Sequence, residues 1–118
     1  MGFEFNNDTP LYLQMAEQIK AQIVGKEYSL GARLPSVRDL SIEYRVNPNT
    51  VQKALFELES AGLITTERTN GKFVTKDQSL IDKVREQIVK EKTDEFVLAM
   101  KGLGYNTEQI IQIIKNKE

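Results

Sequence analysis

The chain has 118 residues, 16 Lys and Arg against 17 Asp and Glu, and a net charge of −1, without the basic excess that most DNA-binding domains advertise. With 40% hydrophobic and 28% charged residues it reads as a globular chain of one domain, or one small domain with an appendage; no apolar run approaches the roughly 20 residues of a membrane span. Having neither Cys nor His, it offers no disulfide, thiol nucleophile, imidazole base or common zinc site, so no cofactor and no metal are expected; no paired catalytic constellation or glycine-rich phosphate loop supports an enzyme.

Phe3 and Phe5 stand at a strand-like period of two and suggest an edge or dimer contact at the start of the chain. Pro10 is expected in the first turn of a helix, capped by Asp8 or Thr9, with Tyr12, Met15, Ala16, Ile19 and Ile23 on its buried face and a fade near Gly25. After the turn-rich KEYSLG, Pro35 and Ser36 read as a short extended element followed by a cap. Val37, Leu40 and Ser41 then form one face of a brief helix. Tyr44, Arg45 and Val46 break the period, and Asn47-Pro48 restarts it as a cap followed by a first-turn proline. Val51, Ala54, Leu55 and Leu58 form the inner face of this next helix, and Gly62 stops it. Residues 63–68 and 72–75 are β-biased strands around the turn dipeptide Asn70-Gly71. Beyond Lys76, Leu80, Ile81, Val84, Ile88, Phe96, Met100 and Leu103 mark a long helix ended by Gly102 and Gly104. A final helix, capped by Asn106 or Thr107, carries Ile110, Ile111, Ile113 and Ile114.

Two helices joined by a three-residue break and followed at once by a hairpin define a winged helix-turn-helix. The fold class expected is mainly α with a small β-hairpin wing (α+β). The DNA-binding domain spans residues 1–76, and a two-helix C-terminal dimerisation tail spans 77–118. The second helix of the motif opens with Asn47, Asn49, Thr50, Gln52 and Lys53, donors and acceptors able to reach base edges and phosphates; Lys53 could instead pair with Glu57 one turn on. Ser36, with the free N–H groups above it, makes an anion site. Arg33, Arg38 and Arg45 gather at the same edge, and Arg68 and Lys72 sit on the wing, near phosphate or in cross-strand pairing with Glu67.

The motifs PLYLQ, G-x-x-LPS-x-R-x-L, NPNTV, A-x-x-x-LE-x-x-G-L-I and NGKFV stand in the order and spacing of GntR-family bacterial transcription regulators. The chain resembles the short YtrA-like subfamily, in which a two-helix tail follows the winged helix. The likeness spans residues 10–75. It implies DNA contacts from Arg38, from Asn47, Pro48, Asn49, Thr50 and Gln52, and from the wing tip around Asn70 and Gly71. Three departures stand out. Arg45 occupies a position usually held by glycine, where a left-handed backbone costs a side chain about 1 kcal/mol. Thr69 replaces the first glycine of the wing, and Pro48 replaces a common arginine.

The reading expected is a sequence-specific transcriptional regulator, a repressor in sense, cytoplasmic and nucleoid-associated when bound to a double-stranded DNA operator. It is expected to act as a homodimer on an inverted repeat, and the resemblance suggests control of a transporter operon. The alternative is a winged-helix protein-interaction module. Phe96, Met100, Leu103, Tyr105, Ile110, Ile111 and Ile114 are the expected dimer interface, because the tail carries more apolar surface than one small wing domain can cover. No membrane partner is expected, and the sequence names no small-molecule effector. Between Arg33 and Lys53 four basic residues face two acidic ones, whereas the tail carries seven basic and eight acidic, so a small basic face is averaged away in the net charge. It implies weak non-specific binding, with specificity left to the recognition helix.

Overall fold

The 3.6-residue periodicities of the sequence become five helices in the structure, a computed structural model that describes residues 4–118. In chain order they are α1 (Leu11–Val24), α2 (Val37–Tyr44), α3 (Pro48–Ser60), α4 (Gln78–Gly102) and α5 (Thr107–Lys115); strands β1 (Ile64–Glu67) and β2 (Gly71–Val74) lie between α3 and α4. Two compact units result: one ends at Arg85, the other is Glu86–Glu118.

In the first unit α1 and α3 pack face to face. Met15, Ala16, Ile19, Ile23 and Val24 of α1 meet the core that Val51, Ala54, Leu55 and Leu58 of α3 complete, all buried. Tyr12, expected on the buried stripe of α1, is only half-buried. Leu40 and Tyr44 bring α2 into the same core, and Leu63, Ile64 and Val74 close it from the hairpin. Tyr44, placed by the sequence reading in the break after α2, is instead the helix's last residue and is buried, its ring 6.5 Å from that of Phe5.

The caps fall close to their sequence signals. Ser36 Oγ accepts the Asp39 N–H at 3.0 Å and Asn47 Oδ1 accepts the Asn49 N–H at 2.7 Å. Asn106 and Gln109 form a reciprocal capping box on α5. Helix α1 differs. Pro10 is its N-cap, one residue earlier than expected, and neither Asp8 nor Thr9 caps it. The side chain of Gln14 reaches back instead, donating to the Asn6 and Thr9 carbonyls at 2.9 and 2.7 Å and accepting the Asn6 N–H at 2.9 Å. Residues 4–7 accordingly form no strand, so the edge expected at Phe5 is absent; Phe3 lies outside the described residues.

The hairpin pairs Ile64 with Val74 and Glu67 with Gly71 around residues 68–70. A third extended segment, which sequence periodicity did not reveal, lies along the other edge of β2: the Leu34 N–H donates to the Lys72 carbonyl and the Val74 N–H to that of Ala32, both at 2.8 Å. Helix α4 begins in this unit, with Asp77 Oδ1 accepting the Leu80 N–H at 3.1 Å and Arg85 Nε donating to the Val24 carbonyl at 2.7 Å. In the second unit α5 buries Ile110, while Leu103 and Tyr105 of the connecting turn are exposed.

Core and surface make contrasting predictions on neighbouring residues of α3. Leu55→Ala is expected to lower stability by about 3 kcal/mol in urea unfolding, through lost burial plus a cavity. Phe56→Ala, on a side chain 64% exposed, is expected to stay within about 0.5 kcal/mol. A second prediction concerns alkaline pH. Burial first, then Glu43, Tyr28 and Glu27 nearby, push the Tyr44 phenol up to about 12. Folding therefore disfavours its phenolate; the stability it contributes is whole below pH 10 and is lost as pH rises toward 12. Urea midpoints of Tyr44→Phe are expected to fall less steeply across that window than those of the unmodified chain.

Candidate nucleic-acid interface

The geometry of the α2–α3 joint decides which side of α3 faces outward. Arg45 ends α2 in the left-handed region at φ 57° and ψ 48°, and its N–H returns to the Ser41 carbonyl. The Val46 N–H donates to the same carbonyl at 3.1 Å, while the Ser41 hydroxyl donates to the Val46 carbonyl at 2.6 Å. Ser41 thus closes the turn with both its backbone and its side chain. The sequence reading placed it on one face of α2 with Val37 and Leu40; the signal that could have found it is a hydroxyl six residues before the restart at Asn47-Pro48. Arg45 adopts the backbone that favours glycine, as its departure from the family pattern implied.

With its inner face buried, α3 turns Asn47, Pro48, Asn49, Gln52 and Lys53 to the exterior, and Thr50 is half-buried. These residues share the first turn and a half of the helix, where a polar face can enter a groove. Asn47 commits its side-chain oxygen to the cap and keeps its amide N–H groups. Lys53 reaches sideways, its ammonium 5.8 Å from the centre of the Tyr12 ring on α1, a cation–π contact. Among the described residues the ion pairs are Lys20–Glu17, Arg85–Asp82 and Lys90–Asp94, so the alternative Lys53–Glu57 pair does not form.

The three arginines occupy three places rather than one edge. Arg38 is exposed in the first turn of α2 beside Ser36, and Arg45 is exposed at the helix's far end. Arg33 pairs with Phe73 and lies along the wing tip: a Cβ added to Gly71 would come within 3.2 Å of Arg33 Nε. Gly71 itself has φ +100°, a backbone in which a side chain is strained, and an added Cβ would also crowd the Arg33 guanidinium. Thr69 does not need the glycine that the family pattern has there; among the described residues only Lys26 and Arg45 are non-glycine residues with positive φ.

On the wing Asn70, not Lys72, meets Glu67, donating to its carboxylate at 3.3 Å. Lys72 Nζ donates to Thr66 Oγ1 at 2.7 Å, and the Thr66 hydroxyl donates in turn to Glu59 on α3. The sequence did not single out Thr66 and held Glu59 only as a letter of the A-x-x-x-LE-x-x-G-L-I motif, since their link joins residues across a hairpin and a helix.

A winged helix-turn-helix with an exposed polar recognition helix is the architecture of a transcription regulator. Residues 11–74 match the bacterial regulatory proteins of the gntR family, and the chain belongs to that family. The HTH-type transcriptional regulator YhcF of Bacillus subtilis (strain 168) is 37% identical over 115 residues, covering 98% of this chain and 95% of its own. The HTH-type transcriptional repressor YtrA of the same organism is 31% identical over 110 residues, covering 92% and 85%. Among solved structures, a GntR family transcriptional regulator from Listeria monocytogenes superposes with TM-score 0.85 at 38% identity, over 97% of this chain and all of that one. The AraR DNA-binding domain, crystallised with operator ORR3, gives TM-score 0.56 at 29% identity over 64% of this chain and 88% of its own. These relatives are regulators, not enzymes.

Ser41→Ala leaves the part-buried Val46 carbonyl without its donor. It is expected to cost about 1–2 kcal/mol of stability, read as a lowered urea midpoint with unchanged slope.

Proposed function

We propose that the chain binds operator DNA as a homodimer and represses transcription, with the α3 of each protomer in a major groove. The observation that carries this reading is the division of α3: a fully apolar inner face, and an outer first turn that presents Asn47, Asn49, Thr50, Gln52 and Lys53. On this reading Asn49 and Gln52 read base edges, while Ser36 and Arg38 at the start of α2 and Lys53 on the flank of α3 hold phosphates. Arg33, Asn70, Gly71 and Lys72 bring the wing to the backbone, and Pro48 fixes the entry of α3. The operator complex of the AraR domain supports DNA as the partner, and the name of YtrA supports repression. A transporter operon is the target class that the family resemblance suggests.

Dimerisation is supported by the second unit. Phe96, Leu103, Tyr105, Ile111 and Ile114 are exposed, Met100 is half-buried, and Ile110 is buried beneath them. A groove of about 380 Å³ runs between Phe96 and Val97 on α4 and Ile110, Ile111 and Ile114 on α5. Water-exposed apolar area of this kind is stabilised by a two-fold contact, and two-fold symmetry in the protein calls for an inverted repeat in the DNA.

The test is fluorescence anisotropy on the fragment upstream of the chain's own gene, across a salt series. A linear fall of log K with log salt is expected, together with preference over random DNA. Equal affinity for random DNA, or a flat salt plot, overturns the reading. Gln52→Ala is expected to relax base preference at one position per half-site by about 1–3 kcal/mol, whereas Lys72→Ala weakens all sequences alike and lowers the salt slope by about one.

A further inference from the structure

The Glu59–Thr66–Lys72 chain joins α3 to the wing at the place where both are turned outward. Thr66 and Lys72 are register partners across the hairpin, so the contact between them is built into the pairing of β1 with β2. The donor count is complete. The single hydroxyl hydrogen of Thr66 goes to the Glu59 carboxylate, leaving its lone pairs for the Lys72 ammonium, which keeps two of its three hydrogens. A carboxylate acceptor polarises the hydroxyl and strengthens its hold on the ammonium. Lys72 and Glu59 border the same cleft, about 530 Å³, as Gln52 and Phe56 of α3. The wing's charge is thus fixed beside a residue of the recognition surface.

We propose that Thr66 is a positioning residue for DNA binding: its hydroxyl, bridging Glu59 to Lys72, holds the wing ammonium at a set place relative to α3, with two hydrogens free for a phosphate. The inference rests on the DNA-binding reading above. A free lysine loses much of its rotamer freedom when it settles on a phosphate, and one already bonded to Thr66 loses less. The arrangement also accounts for an acidic residue so near the proposed binding face. Coulomb repulsion alone makes Glu59 a liability there; as the anchor of Thr66 it supports the cation that binds.

The test compares Thr66→Val, which keeps shape and β-branching and changes no charge, with Thr66→Ser, which keeps the hydroxyl. Thr66→Val is expected to weaken operator and random DNA alike by about threefold to tenfold, and to move the salt slope toward that of Lys72→Ala. Thr66→Ser is expected to retain affinity, and Thr66→Val combined with Lys72→Ala to bind no more weakly than Lys72→Ala alone. Glu59→Gln is expected to weaken binding, although it removes a negative charge. Wild-type affinity in Thr66→Val, a full additive loss in the double variant, or tighter binding by Glu59→Gln overturns the inference. If Lys72→Ala binds as the unmodified chain does, the inference falls while the DNA reading stands. If the unmodified chain shows no operator preference, the DNA reading falls first.

Discussion

Burial of one face of α3 is the constraint on which the rest depends. Val51, Ala54, Leu55 and Leu58 must all reach the interior at once, and they share a helix with Asn49, Gln52 and Lys53, which must not. The rotation of the helix about its own axis is therefore fixed by water exclusion against α1, not by anything the outer residues do. Val51, Leu55 and Leu58 each contribute of order 1.5–3 kcal/mol through burial, and the Ala54 methyl about 0.8 kcal/mol. Apart from the Lys53 contact with the Tyr12 ring of α1, the outer face takes little part in the packing, so its chemistry can vary with small effect on the core.

A second constraint acts at the joint. Three residues between α2 and α3 leave no slack, so the turn is closed by the nearest available donors and acceptors, all on Ser41 and the two residues after α2. The wing is fastened in a similar way, by groups brought from different elements. Ala32 and Leu34 flank β2 on one side, and Glu59 reaches Thr66 from the helix. Recognition helix and wing thus belong to one body through polar links at their edges as well as through the common core.

What the sequence made legible is what depends on near neighbours. The inner stripe of α3, the caps at Ser36, Asn47 and Asn106, and the turn at Gly71 all follow from residue type and spacing along one stretch of chain. Arg45 could be flagged only because the family pattern has glycine there. What stayed hidden depends on residues far apart or on side chains with two uses. Gln14 stood in the sequence only as the last letter of PLYLQ, with no role attached, and is the clamp on the chain entry. Ser41 was given a helix face shared with Val37 and Leu40, and it also closes the turn. The segment 32–34 is too short to show a period of two, and Lys72, for which the sequence offered Glu67 as a cross-strand partner, instead faces Thr66. Arg33 was grouped with Arg38 by nearness in sequence, yet the wing claims it.

Arg45 carries one consequence of its own. Its backbone sits where glycine is at ease, so the chain holds a cation at the rim of the motif against a conformational penalty. Stability and surface charge are therefore in tension at this single position. A population selected only for heat resistance would gain by admitting glycine at residue 45, and would shed a positive charge from the edge of the helix pair in doing so. At residue 45 the ease of the backbone and the charge at the edge of the helix pair pull in opposite directions, and the chain keeps the charge.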